Sequence, residues 1–204
     1  MRECLSADRT IPVEGSLSEA WLRARDTLDL CGHTLTLQLP AEYIGATSIN
    51  GQIPGGAVVI QGGRVSGTGQ LFRVNDGARF TLSGVTLCAP GGMGVVVASG
   101  TVLINDVTFD GIDICVDVCG PDSIAGVGNA TFLPKSFGAA LTAEDGGWIG
   151  ISGFAMVHGA RFSRCFAQAD LGGKIDGTGF TWAGAATGRR YQAYTGGLVF
   201  TAAL

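Results

Sequence analysis

A repeat of 22 residues constrains this chain more than any other feature of its sequence. Val58–Val65, Phe80–Leu87 and Val102–Phe109 begin 22 positions apart. When they are written under one another, apolar residues share three columns. Val58, Phe80 and Val102 hold the first, Ile60, Leu82 and Ile104 the third, and Val65, Leu87 and Phe109 the eighth. Gln61, Ser83 and Asn105 keep the fourth column polar. Strand-like alternation at a period in the low twenties is the mark of a solenoid, in which one coil cannot bury its inner face without a neighbour. Each coil then pairs in parallel with the next, about 4.8 Å away. Asn50-Gly51, Gly55-Gly56, Asn75-Asp76-Gly77, Gly91-Gly92 and Gly146-Gly147 are the expected corners, because tight turns demand positive φ.

The pattern extends both ways. Thr34–Leu39 alternates with Leu35, Leu37 and Leu39 on one side and is expected to be the first coil. Before it, Ser16-Leu-Ser-Glu19 has capping-box spacing and opens a helix to about Leu28, with Leu17, Ala20, Trp21, Ala24 and Leu28 on one face. Such a helix suits the open end of a solenoid, where bare strand edges invite aggregation. Downstream, Gly147–Phe154 aligns with Gly173–Phe180 at a spacing of 26, matching Ile149 to Ile175, Gly153 to Gly179 and Phe154 to Phe180. The domain reading is residues 1–28 as N-terminal segment and capping helix, 29–182 as β-helix, and 183–204 as a C-terminal interface or tip segment.

Composition limits the partners. Charged residues are 15% of the chain and hydrophobic ones 46%, which suggests that surface is buried against neighbours. A net charge of −4, with Lys135 and Lys174 the only lysines, argues against nucleic acid. Met1–Thr10 has no apolar signal-peptide core, and no apolar run is long enough to span a bilayer. Synthesis in a cytoplasm and export only within an assembled particle is therefore expected. Cys4, Cys31, Cys88, Cys115, Cys119 and Cys165 lack metal-ligand spacing and read as small apolar core fillers.

Candidate chemistry is thin. Asp106, Asp110, Asp113, Asp117 and Asp122 cluster in sequence. In Ile112–Cys119, Ile112, Ile114, Val116 and Val118 should face inward, leaving Asp113, Cys115, Asp117 and Cys119 outward. Asp113 and Asp117 would then be roughly 13 Å apart along one strand, beyond the ~5–9.5 Å of a glycosidase pair. A cross-coil pair involving Asp110 remains as an alternative. No calcium loop, nucleophile elbow, P-loop or HExxH motif is present, so neither metal nor cofactor is expected. His33 and His158 read as turn or edge residues. Trp148, Trp182, Tyr191 and Tyr194, with Arg189 and Arg190 close by, combine flat faces and planar donors suited to sugar rings. The competing reading places the two tryptophans in the core or at a subunit seam.

Leu28-Asp-Leu-Cys-Gly-His-Thr-Leu-Thr-Leu-Gln-Leu39 and Ala57-Val-Val-Ile-Gln-Gly62 resemble the opening coils of pectin-lyase-like β-helix proteins, the spikes and fibres of tailed bacteriophages and gene transfer agents. Phe162–Ala167 and Phe180–Tyr191 resemble the endings such proteins carry. The resemblance implies an all-β chain, a right-handed parallel β-helix with a short N-terminal capping helix. It also implies a particle-surface protein that touches bacterial polysaccharide, is often oligomeric (trimers being usual) and contacts other virion proteins. The expected function is a structural spike that oligomerises and attaches to host surface polysaccharide without cleaving it. The alternatives are a depolymerase of the lyase or glycosidase class using Asp106, Asp110 or Asp113, and a purely structural adaptor.

Overall fold

A computed structural model describes residues 2–201, apart from the side chain of Phe154. The chain is a parallel β-solenoid of about eight turns with one short helix. Each full coil adds one strand to each of three stacks. In the first stack, Arg9–Pro12 lies under Thr34–Gln38, which lies under Ala57–Gln61; Ala78–Ser83, Gly100–Asn105 and Ser123–Val127 follow in order. The stack continues through the first residues of the long strands Trp148–Ala169 and Lys174–Ala193, and then Leu198–Thr201.

The repeat columns are the physical register. Leu82 sits between Ile60 and Ile104, Phe80 on Val102, and Leu87 between Val65 and Phe109. All of these side chains are buried. Gln61, Ser83 and Asn105 stack outside them. Strict alternation with branched and aromatic residues fits a surface that packs on one side only. Further along, Phe109 stacks on Phe132 at 5.1 Å, and Phe132 meets Phe137, Phe162 and Phe166 edge-on.

Four of the corners between the third and first stacks, and the turn before Thr34–Gln38, share one backbone device. Cys31-Gly32, Asp76-Gly77, Asp145-Gly146, Leu171-Gly172 and Thr195-Gly196 each place two consecutive residues at positive φ. That pair of conformations is what a type I′ turn requires.

The helix, α1, spans Leu17–Thr27. Ser16 caps it by accepting the Glu19 N–H at 3.3 Å. Its apolar face closes one end of the solenoid: Leu17 and Trp21 are fully buried, and Trp21 meets Phe80 edge-on at 5.6 Å. The indole N–H of Trp21 is shared by the carbonyls of Asn50 and Gly51, so this donor is satisfied. Truncating a packed Trp of this kind costs about 3–5 kcal/mol.

Several expectations need correction. Thr34–Leu39 is not the first coil, because Arg9–Pro12 already lies beneath it. Ile149 does pair with Ile175, but one extra residue then enters the upper strand as a bulge. Gly153 consequently faces Phe180 and Phe154 faces Thr181. The strand Lys174–Ala193 runs across residue 182, and Leu198–Thr201 follows it. The cysteines are not uniform core fillers either. Cys4 and Cys31 are exposed and joined by a disulfide, Cys88 and Cys119 are half-buried, and only Cys115 and Cys165 lie inside.

Candidate functional site

The five aspartates that cluster in sequence disperse around one coil. A coil of this length returns to its starting stack after 22 or 23 residues, so a stretch from 106 to 122 travels most of the perimeter. Asp106 occupies a positive-φ corner and accepts from the side-chain amides of Asn105 (2.8 Å) and Asn129 (3.2 Å). Asp110 pairs with Arg64 at 2.7 Å, two coils below. Asp113 pairs with Arg164 at 2.9 Å. Asp117 accepts from the Thr142 hydroxyl on the next coil. Asp122 is exposed at a corner. The Asp110 carboxylate therefore meets a guanidinium rather than an acid from the next turn, and no three His, Cys, Asp or Glu converge as a metal site among the described residues.

The alternation expected over Ile112–Cys119 also breaks. The strand begins at Ile114, and Cys115 is buried beside Val116 instead of facing outward. Gly94 lies at the same height on the adjoining coil, where a Cβ would run into the Cys115 carbonyl oxygen. Burial pushes the Cys115 thiol well above its usual range, which keeps it a neutral packing group.

An acidic corner lies at the end of the third stack. Cys119 is in register with Glu144, and its thiol lies 3.4 Å from the Asp145 carboxylate. Burial is the main force raising the Asp117 carboxyl; the Thr142 hydroxyl and Arg164 oppose it. Glu144 is raised by burial and by the like charges of Asp117, Asp170 and Asp145, with Arg164 again opposing.

The aromatic candidates separate into two places. Trp182 is half-buried at the far end of the core, 4.4 Å from Phe166 and 5.0 Å from Phe180, with its indole N–H buried and unpartnered among the described residues. Tyr191 is half-buried against the same core, while Arg189 borders a cavity beside Trp182. Trp182 thus packs against the core from its partly buried rim. Tyr194 is exposed at a corner.

Trp148 stands apart on the outer side of the first stack. Thr101, Ile124, Trp148 and Lys174 are neighbours on consecutive coils, as are Leu103, Gly126, Gly150 and Asp176 two positions along. Leu103, Ile124 and Trp148 are 52%, 37% and 41% exposed, a contiguous apolar stripe on an otherwise polar outer sheet. Glycine makes this stripe lie flat. A Cβ on Gly150 would stand 2.7 Å from the Trp148 ring, and one on Gly126 would stand 2.8 Å from Leu103 Cδ2. Both side chains thus fold down over bare backbone. Ser152, Asp176 and Thr178 border the resulting shallow trough. Asp176 accepts the Thr178 N–H at 3.0 Å and its hydroxyl at 2.8 Å, and these bonds hold the carboxyl below its usual range. It is a fixed, ionised acceptor.

The sequence singled out Trp148 but not Leu103, Ile124, Ser152, Asp176 or Thr178. Their common signal was available: all but Thr178 occupy or adjoin outward positions of the first stack once the register is carried forward. Across the described residues, the strand segment 178–193 has no strand above it, since only Lys174–Gly177 pairs with Leu198–Thr201. No protein-family model, no curated protein and no solved structure matches this chain.

Proposed function

We propose that this chain is a rigid surface spike of a phage-like particle, which self-associates and adheres to host polysaccharide without cleaving it. The observation that carries the reading is the contrast between two surfaces. Four of the five clustered carboxylates are engaged by Arg64, Arg164, Thr142 or asparagine side chains. The Leu103–Ile124–Trp148 stripe is left open on the flank of a stiff stalk. A flat aromatic next to fixed polar acceptors is suited to the C–H faces and hydroxyl rims of sugars. The resemblance of the opening and closing coils to particle spikes supports the location. The low charged fraction, 15% of the chain, supports self-association, because sparse surface charge suits burial against a neighbour.

The test is to incubate purified protein with capsular and lipopolysaccharide extracts of candidate bacterial hosts. Retention on at least one extract, with no new reducing ends or unsaturated sugars, is the expected outcome. Release of such ends would replace adhesion by depolymerisation, and absence of any retention would remove the glycan role.

A further inference from the structure

We infer that Trp148 and Asp176 form a subsite for an uncharged pyranose unit on the outer side of the first stack, an inference that rests on the polysaccharide-binding reading above. The ring lies over Gly150 and Trp148 is 41% exposed, so an aromatic platform is already in place before any ligand arrives. The Asp176 carboxylate is positioned by both donors of Thr178, which are accepted by Oδ1, and Oδ2 keeps its acceptor capacity. A pyranose places apolar C–H groups on the indole and turns its hydroxyls outward, where they donate to Asp176 and exchange hydrogen bonds with Ser152.

Charge decides which sugars fit. Asp176 is the one charged side chain bordering the trough, and the whole chain carries a net −4. A uronate or sialate would bring a second anion against that carboxylate, whereas a neutral hexose satisfies it. Lys174 is in register with Trp148 on the next coil but does not border the trough. An apolar protein partner is disfavoured by the same group, because covering Asp176 without donors would bury an unpaired charge. Leu103 and Ile124 extend the apolar floor by two strand spacings of about 4.8 Å each. The chain of sugars thus has room to continue along the solenoid axis.

Affinity electrophoresis of the full chain in gels containing dextran, yeast mannan, galactomannan or polygalacturonate tests this. Retardation by at least one neutral polymer and none by polygalacturonate is expected. Trp148→Ala and Gly150→Val, the latter displacing the ring while keeping it, should each weaken retention by at least about tenfold. Ile44→Ala, at an exposed apolar residue away from the trough, should leave it unchanged. Should Trp148→Ala fail to fold, Gly150→Val decides. Wild-type retention that survives both substitutions overturns the subsite while leaving the adhesive role intact. Stronger retention by polygalacturonate overturns the preference for neutral sugars. No retention by any of the four polymers or by host extracts overturns subsite and adhesion together.

Discussion

Asp113 and Arg164 belong to coils two apart, and their 2.9 Å ion pair crosses the coil between them directly over Gly138. A Cβ on Gly138 would lie 2.1 Å from Asp113 Oδ1 and 2.7 Å from an Arg164 terminal nitrogen. The glycine is therefore the gap through which the pair closes. Both charged side chains are nearly half exposed, 48% and 42%, so solvent screens the pair. Gly138→Ala should destabilise by no more than about 1 kcal/mol, the range of an exposed pair. In a denaturant double-mutant cycle the loss should vanish when Asp113 is already alanine. A loss that persists in the Asp113→Ala background would show that Gly138 matters for backbone reasons instead.

The corner at Leu171-Gly172-Gly173 separates two reasons for glycine. Gly172 has φ +78° and nothing within 4 Å of a Cβ, so only conformation restricts it. Gly173 has no such φ, but a Cβ there would sit 2.1 Å from the Ala143 carbonyl oxygen. Gly172→Asn should fall within about 1 kcal/mol of wild type, since Asn tolerates the left-handed region. Gly173→Ala should lose about 2 kcal/mol or more, because the coil spacing itself must open. Chemical denaturation of both variants checks the ranking, and reversal would mean that the corner does not pack as described.

How far the sequence could be read depended on whether the coil length stayed constant. The columns at Val58, Phe80 and Val102 were legible because 22 residues separate each coil from the next with no insertion. Thr101 to Ile124 takes 23 residues and Ile124 to Trp148 takes 24, so a fixed period cannot place Ile124 beside Trp148. The bulge before Gly179 then shifts the matches of Ser152 to His158 by one, and two further irregularities, after His158 and after Arg161, change the offset again. Capping chemistry is local, which is why α1 could be located from Ser16 and Glu19 alone. The acidic cluster misled for the opposite reason: on a solenoid, neighbours in sequence point to different faces, while neighbours in space are a coil apart. Cys4 and Cys31 escaped because a two-residue strand, Glu3–Cys4, has no periodicity to detect.

Stability should fall as pH rises through the titration of the acidic corner. Burial and mutual repulsion raise Asp117 and Glu144 above their ordinary 3.8 and 4.5, so the folded state binds their protons more tightly than the unfolded chain. Their protonated forms are fully tolerated below the ordinary carboxylate range, and the penalty appears as pH climbs through the raised values. Cys119, Asp145, Asp170 and Arg164 surround them; Arg164 opposes both shifts, and the Thr142 hydroxyl opposes that of Asp117. Asp117→Asn keeps an acceptor for the Thr142 hydroxyl while removing the charge. Its melting temperature should exceed that of wild type at neutral pH, with the difference shrinking toward about pH 4. An Asp117→Asn curve parallel to wild type across that range would rule the corner out as the source.

The Cys4–Cys31 disulfide closes a sequence separation of 27 around the whole of α1. Glu3–Cys4 pairs with Leu28–Asp29 through two residues only, so the backbone alone holds this end weakly. Restricting the unfolded chain through a loop of that length is worth roughly 3–4 kcal/mol in the chain-entropy picture. The consequence is local as well as global, because the helix that covers the core is held in two ways: by the disulfide between its flanking segments and by the Trp21 anchor within it. Reductant should lower the melting temperature of wild type, and Cys4→Ser/Cys31→Ser should melt at that lower temperature with no further response to reductant. Burial of Trp21 provides the local readout: its fluorescence should shift toward the red before the β signal is lost in the reduced protein. If reduction changes neither the melting temperature nor this order of events, the helical cap is held by its packing on Phe80 and the Asn50–Gly51 corner, and the covalent link is dispensable.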